Sequence, residues 1–169
     1  GVESGLERVI FASTGGAIYG EPERAPQGLD HPLRPVSPYG VAKLASEKYL
    51  YYYREEHGIG TVSLRYANVY GPRQNPHGEA GVVAIFTKAL LEGEQPVIYG
   101  DGEQTRDYVY VGDVVEANLA ALDYEGSGVF NVGTGRETSV NTLFRMLRDA
   151  TGAEMAEEHG PAKPGEQQR

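Results

Sequence analysis

The chain is 169 residues long, 40% hydrophobic and 23% charged, a balance that suits a globular protein with a real core and excludes wholesale disorder. A net charge of −9 and a pI near 4.9 exclude the basic face that nucleic acid or an anionic membrane would need. The chain has no cysteine, hence neither disulfide nor thiolate chemistry, which suits a cytoplasmic protein, and no run reaches the ~18 apolar residues of a membrane span.

Residues 8–13 (RVIFAS) form a short apolar run rich in β-formers and read as a buried strand. Gly15 and Gly16 end it, which places Ser13 and Thr14 at the strand's carboxyl end. A loop rich in proline and charge fills 21–38. Residues 39–57 read as a long helix that Gly58 stops, with Val41, Leu44, Ala45, Tyr49, Tyr52 and Tyr53 at helical spacing. Residues 61–66 (TVSLRY) read as a second buried strand, and 68–81 as a loop. A short helix at 82–91 follows, then short strands at 96–99 and 107–111. The next helix, 113–122, has Asp113 in position to cap it. A strand at 130–132 leads into Gly133-Thr134-Gly135, and an amphipathic helix runs from Ser139 to a stop at Gly152. This alternation predicts an α/β fold with a mostly parallel sheet. Residues 1–7 read as the tail of a helix and 160–169 as a loop, so an internal fragment of a longer chain is expected.

Tyr39 and Lys43 stand four apart near the start of the long helix, so their side chains share a face. An ammonium ~4–5 Å from a phenol, at an effective dielectric of ~20, favours the phenolate by roughly 3–4 kcal/mol. Such a pair suits a general base near neutral pH. With 12 tyrosines in the chain, the spacing alone is a weak signal. Ser13 and Thr14 add to it, because open α/β sheets bind ligands at the carboxyl ends of their strands. Ordinary turn chemistry is the competing explanation for both hydroxyls.

Five segments carry a resemblance when taken in order: STGGAIYGE (13–21), SPYGVAKLASE (37–47), LRYANVYGPRQ (64–74), GDGEQTRDYVYVGD (100–113) and FNVGTG (130–135). Together they resemble the extended short-chain dehydrogenase/reductase family, in its branch of NAD-dependent epimerases and dehydratases similar to UDP-glucose 4-epimerase. The resemblance implies part of a Rossmann-type parallel sheet with interleaved segments of a small substrate-binding domain. It assigns 1–67 and 103–135 mainly to a cofactor domain, and 68–102 and 136–169 mainly to substrate binding. It further implies NAD as cofactor, a UDP-sugar as substrate, no metal, and a homodimer built on the long helix.

By position, the resemblance makes Tyr39 the base and Lys43 the residue that favours its phenolate and holds the nicotinamide ribose. Thr14 would bond the substrate's 4-hydroxyl, with Ser13 as support beside the cofactor. Tyr66 and Ala67 would line the nicotinamide pocket. Asn68 would contact the sugar nucleotide, Ile98 and Tyr99 would flank the uridine, and Arg106 and Lys163 would reach the phosphates. A guanidinium's rigid fork suits that last task.

Two departures from the pattern stand out. No glycine-rich strand–turn–helix for a dinucleotide pyrophosphate occurs in the chain, and the segment that would gate the sugar pocket is also lacking. Related 4,6-dehydratases carry acidic residues just after the threonine, whereas Gly15 and Gly16 can neither take nor give a proton. Epimerisation at C4 is therefore expected. The alternatives are a nucleotide-sugar reductase or dehydrogenase using the same tyrosine and lysine, and a non-catalytic nucleotide-sugar binding module.

Overall fold

Arg8–Thr14 forms β1, Gly60–Tyr66 forms β2 and Gly128–Val132 forms β7, hydrogen-bonded side by side in the order β1-β2-β7 with both pairings parallel. Every interior residue of β2 from Thr61 to Arg65 is buried, as expected of a central parallel strand covered on both faces. Its side chains alternate. Val62 and Leu64 pack with Ala121 and Ala117 of helix α4 (Val111–Asp123), together with Ile10, Tyr66 and Val132. Thr61, Ser63 and Arg65 point to the opposite face. That face lies under helix α2 (Pro38–His57), which packs on both β1 and β2.

The computed structural model describes residues 1–77 and 81–162, and Lys163 therefore lies outside the described residues. They form two units: 1–67 with 112–133, and 68–111 with the remainder from 134. The segment 103–111, assigned above to the cofactor domain, packs within the second unit. That unit holds β3 (Asn68–Tyr70) parallel to β6 (Tyr108–Tyr110), β4 (Val97–Tyr99) parallel to β9 (Glu158–Gly160), and β5 (Thr105–Arg106) antiparallel to β8 (Thr138–Ser139). Helices α3 (Val82–Glu92) and α5 (Val140–Thr151) pack together over a core of Phe86, Leu90, Ile98, Val140 and Phe144. Phe86 and Phe144 meet edge to face, 6.1 Å between centroids.

The helix stops fall where glycine predicts them. Gly58 and Gly152 adopt the left-handed conformation and return their N–H groups to Arg54 and Arg148 carbonyls. Ser139 caps α5 by accepting from the Thr142 N–H. Four local expectations change. The helix read as starting at Asp113 begins at Val111, because β6 runs straight into it, and Asp113 sits in its first turn instead of capping it. The loop after β2 opens with strand β3, whose partner β6 is distant in sequence and so invisible to local patterning. Gly15 and Gly16 do not simply break the chain but begin a one-turn helix, α1 (Gly15–Ile18). Residues 1–7 hold only a 3₁₀ turn at Val2–Ser4, closed by left-handed Gly5.

The start of α2 is set by three residues. Ser37 accepts the Gly40 N–H at 3.1 Å, and Pro38 occupies the first turn, where its missing N–H costs nothing. Gly40 lets that turn approach α1 closely: a Cβ there would lie 2.4 Å from the Ala17 carbonyl oxygen and 2.9 Å from Pro35 Cβ. A backbone atom cannot swing aside as a side chain can. Gly40→Ala is therefore expected to destabilise the fold by about 1–3 kcal/mol through overpacking. Gly16→Ala, where nothing lies within 4 Å, should not destabilise it. Thermal melting of the two variants side by side checks this; equal melting points would remove the close approach as a constraint.

Candidate active site

Tyr39, Lys43 and Glu47 recur every fourth residue on α2 and so share the face turned toward β1. Lys43 crosses to the strand: its Nζ donates to the Ala12 carbonyl at 2.8 Å. The ammonium lies 4.9 Å from the Phe11 ring centroid and 5.6 Å from that of Tyr39. Both contacts are within cation–π range, and they hold the charge beside the phenol's ring. Tyr39 itself is 57% exposed, so its hydroxyl is open to a reactant.

Thr14 closes β1, paired in register with Tyr66 at the end of β2. Its backbone is extended and it stands at the N-cap of α1, yet its hydroxyl makes no cap hydrogen bond. The turn-chemistry explanation therefore fails for Thr14. Ser13 is different. It is buried and donates to Glu47 Oε1 at 2.5 Å, a bond that ties β1 to α2. The Tyr66 phenol exchanges hydrogen bonds with the Asn118 amide at 2.8 and 3.1 Å, on the α4 side of the sheet. Its ring belongs to the core there, leaving its main chain and Ala67 at the strand end. The Ala67 N–H is paired with the Val132 carbonyl.

Beneath this edge lies a polar network that sequence reasoning does not single out. Arg65 grips Glu47 with two bonds, Nε to Oε1 at 3.0 Å and Nη2 to Oε2 at 2.7 Å, in the fork geometry that suits a carboxylate. Its Nη1 donates to Tyr19 Oη at 2.9 Å, and Tyr19 donates onward to Asn131 Oδ1 at 2.7 Å. Burial opposes the Arg65 charge, but the hydrogen bonds to Glu47 and Tyr19 and the Glu47 charge outweigh it, raising the guanidinium above its ordinary value. The available signal is an arginine inside a run otherwise read as buried strand, which demands an acidic partner.

In the second unit Asn68 is exposed at the start of β3, and its N–H is bound by the Asp107 carbonyl. Arg106 is half-buried on β5 and donates from Nη1 to the Thr105 carbonyl at 2.7 Å. The Asp107 carboxylate accepts from Thr134 N, Thr134 Oγ1 and Gly135 N, all within 3.0 Å, and so builds the Gly133-Thr134-Gly135 loop. Tyr99 is partly exposed, but Ile98 is fully buried among Phe86, Leu90 and Phe144. Alternation along β4 turns the Ile98 side chain into the core and Tyr99 outward.

Two kinds of comparison place the chain among known proteins. It is 47% identical over 167 residues to the UDP-glucose 4-epimerase of Mycolicibacterium smegmatis, covering 98% of this chain and 53% of that protein. Among solved structures, it superposes on UDP-glucose 4-epimerase from Thermotoga maritima, solved with UDP-glucose, with a TM-score of 0.94 at 52% identity, over 97% of this chain and 53% of that one. It superposes on the Thermus thermophilus UDP-glucose 4-epimerase complex with NAD with a TM-score of 0.90 at 47% identity, over 99% and 56%. The chain spans about half the length of the curated relatives it matches. The family model for NAD-dependent epimerases and dehydratases matches residues 2–133, and the strand-end threonine with the helix-borne tyrosine and lysine lies inside that span: the chain belongs to the NAD dependent epimerase/dehydratase family.

Proposed function

We propose that this chain carries the catalytic residues of an NAD-dependent nucleotide-sugar 4-epimerase of the UDP-glucose/UDP-galactose type. The observation that carries the reading is the Tyr39 phenol, open to solvent, with the Lys43 ammonium anchored beside it at the end of β1. The likeness to UDP-glucose 4-epimerases over nearly all of this chain supports it.

The residues fit the nicotinamide-ribose end of a dinucleotide. Lys43 reaches the carboxyl edge of a parallel strand, and Gly16 beside Thr14 faces open space, with nothing within 4 Å of a Cβ placed there. NAD, when bound, supplies reversible hydride acceptance at C4. Tyr39 as phenolate takes the proton of the substrate's 4-hydroxyl and later returns it. Thr14, its hydroxyl not engaged in capping, orients that hydroxyl. Lys43 stabilises the phenolate and bonds the ribose. Asn68, Tyr99 and Arg106 bind the nucleotide, with Lys163 as a further phosphate contact. Gly15 and Gly16 leave no acid or base for a dehydration, which favours epimerisation over the dehydratase chemistry of relatives.

In the full-length protein, Tyr39→Phe is expected to lower kcat by ~10²–10⁴ with little change in KM, since ring packing survives and only the proton acceptor is lost. Lys43→Met should keep the phenol but lose about 10²-fold, the worth of a nearby unit charge. Steady-state kinetics with UDP-galactose measure both, and near-native turnover in the pair would end the epimerase reading.

We further place the protein in the cytoplasm as a homodimer joined through α2. Its Tyr49, Tyr51, Tyr52 and Tyr53 are all 40% or more exposed, more aromatic surface than a free helix face ordinarily leaves in water. Light scattering on the full-length protein should give twice the monomer mass. A Tyr49→Glu/Tyr52→Glu variant should shift it toward monomer, and a monomeric parent would dismiss the interface.

A further inference from the structure

Glu47 stands one helical turn beyond Lys43, the ordinary spacing of a helical ion pair. The two do not pair in that way: the Lys43 ammonium donates to the Ala12 carbonyl instead. Both Glu47 oxygens are occupied, Oε1 by Ser13 and Arg65 Nε, Oε2 by Arg65 Nη2 at 2.7 Å. Glu47, Arg65 and Ser13 are each at least 93% buried, so this carboxylate has little water to share its charge with. Its charge is answered by one partner of opposite sign, on β2.

We propose that Arg65 is a positioning residue for the base, acting through Glu47: it holds the carboxylate away from Lys43, so that the lysine's charge stays with Tyr39. The inference rests on the assignment of Tyr39 and Lys43 in the preceding section. Without Arg65, the nearest cation on the same helical face is Lys43. A Lys43–Glu47 pair would draw the ammonium off the Ala12 carbonyl and down the helix, and would neutralise the charge that favours the phenolate. The network also answers why a buried ion pair is kept where apolar residues of equal size could fill the space. A simple strut would need only shape. This one separates two opposite charges that helical geometry would otherwise join.

A strut and a charge-separator predict different variants. If the pair is only structural, Arg65→Met and Glu47→Gln should impair the enzyme alike, since each strands the other's charge in the interior. If Arg65 separates the charges, the two diverge. Both should lower the melting temperature of the full-length protein, but assayed well below it they should part. Arg65→Met should lose on the order of 10² in kcat with KM changed little, because the phenolate loses its cation. Glu47→Gln should keep kcat within about threefold, because no carboxylate remains to capture Lys43. Arg65→Lys, which retains a partner for Glu47, should recover most of the loss. Should Arg65→Met fail to fold, the double variant Glu47→Gln/Arg65→Met carries no stranded charge and should fold and turn over near the parent rate. Equal losses in the two single variants, or a folded double variant with kcat reduced about 10²-fold, would overturn the inference. Tyr39→Phe run alongside separates the failures: its full activity would sink the base itself, whereas its inactivity with equal single losses would sink only the role of Arg65.

Discussion

A buried arginine near the end of a central strand is an expensive choice. Arg65 lies on β2 with 5% of its surface exposed, between strands that cover it laterally and a helix that covers it above. Stranding either member of a buried ion pair costs about 3–5 kcal/mol, so the partner's position is not free to drift. Glu47 must be where Arg65 can reach it with two parallel bonds, and Glu47 is fixed on α2. The demand for compensation thus sets how the helix lies along the sheet. Ser13 completes it from β1, so three elements share one polar centre.

The opposite end of α2 is controlled by sterics. Ser37 and Pro38 decide where the helix begins, and Gly40 decides how near its first turn comes to the Ala17 carbonyl. A polar pin two turns along and a contact at the start together restrict both rotation and translation. Tyr39 sits next to the Gly40 contact, in the first turn, where a helix is most prone to fray. Its accessibility and its order are therefore compatible, because the order comes from its neighbours and not from burial of its own ring.

The legible and illegible parts of the fold divide along physical lines. β1, β2, α2 and α5 are readable because their signals are local: apolar runs, helical spacing, a serine cap, a terminal glycine. Tyr39, Lys43 and Thr14 are readable as candidates from spacing and from their place at a strand end. What spacing cannot convey is where the side chains go once the strands pair. Ser13 and Thr14 are adjacent hydroxyls, and only pleat alternation under α2 sends one into Glu47 and leaves the other uncommitted. Ile98 and Tyr99 divide in the same way on β4. β3 is three residues long and pairs with β6 across forty positions of sequence, so local patterning reads it as loop even though its partner, within 107–111, reads as a strand. Asp107 illustrates the limit from another side. Its neighbour Arg106 suggests a surface pair, but the carboxylate is engaged by the Thr134–Gly135 backbone, a partner that composition cannot name.

The Ala12 carbonyl as acceptor for Lys43 fits the role proposed above for the lysine. A carboxylate would hold an ammonium more firmly than the Ala12 carbonyl does, but it would also cancel its charge. A peptide oxygen brings a dipole and no net charge, so it fixes the position of the ammonium and leaves its field acting on Tyr39. The identity of the residue matters as well. An ammonium is a compact charge with three donors, so one bond to the strand leaves two for other acceptors. A guanidinium would spread its charge across a planar fork and would fit best against the very carboxylate that stands one turn away. Arg65 performs that task from the strand, and Lys43 is left the other. Two cations, one on the helix and one on the strand, lie within reach of one carboxylate, and the fold gives that carboxylate to Arg65.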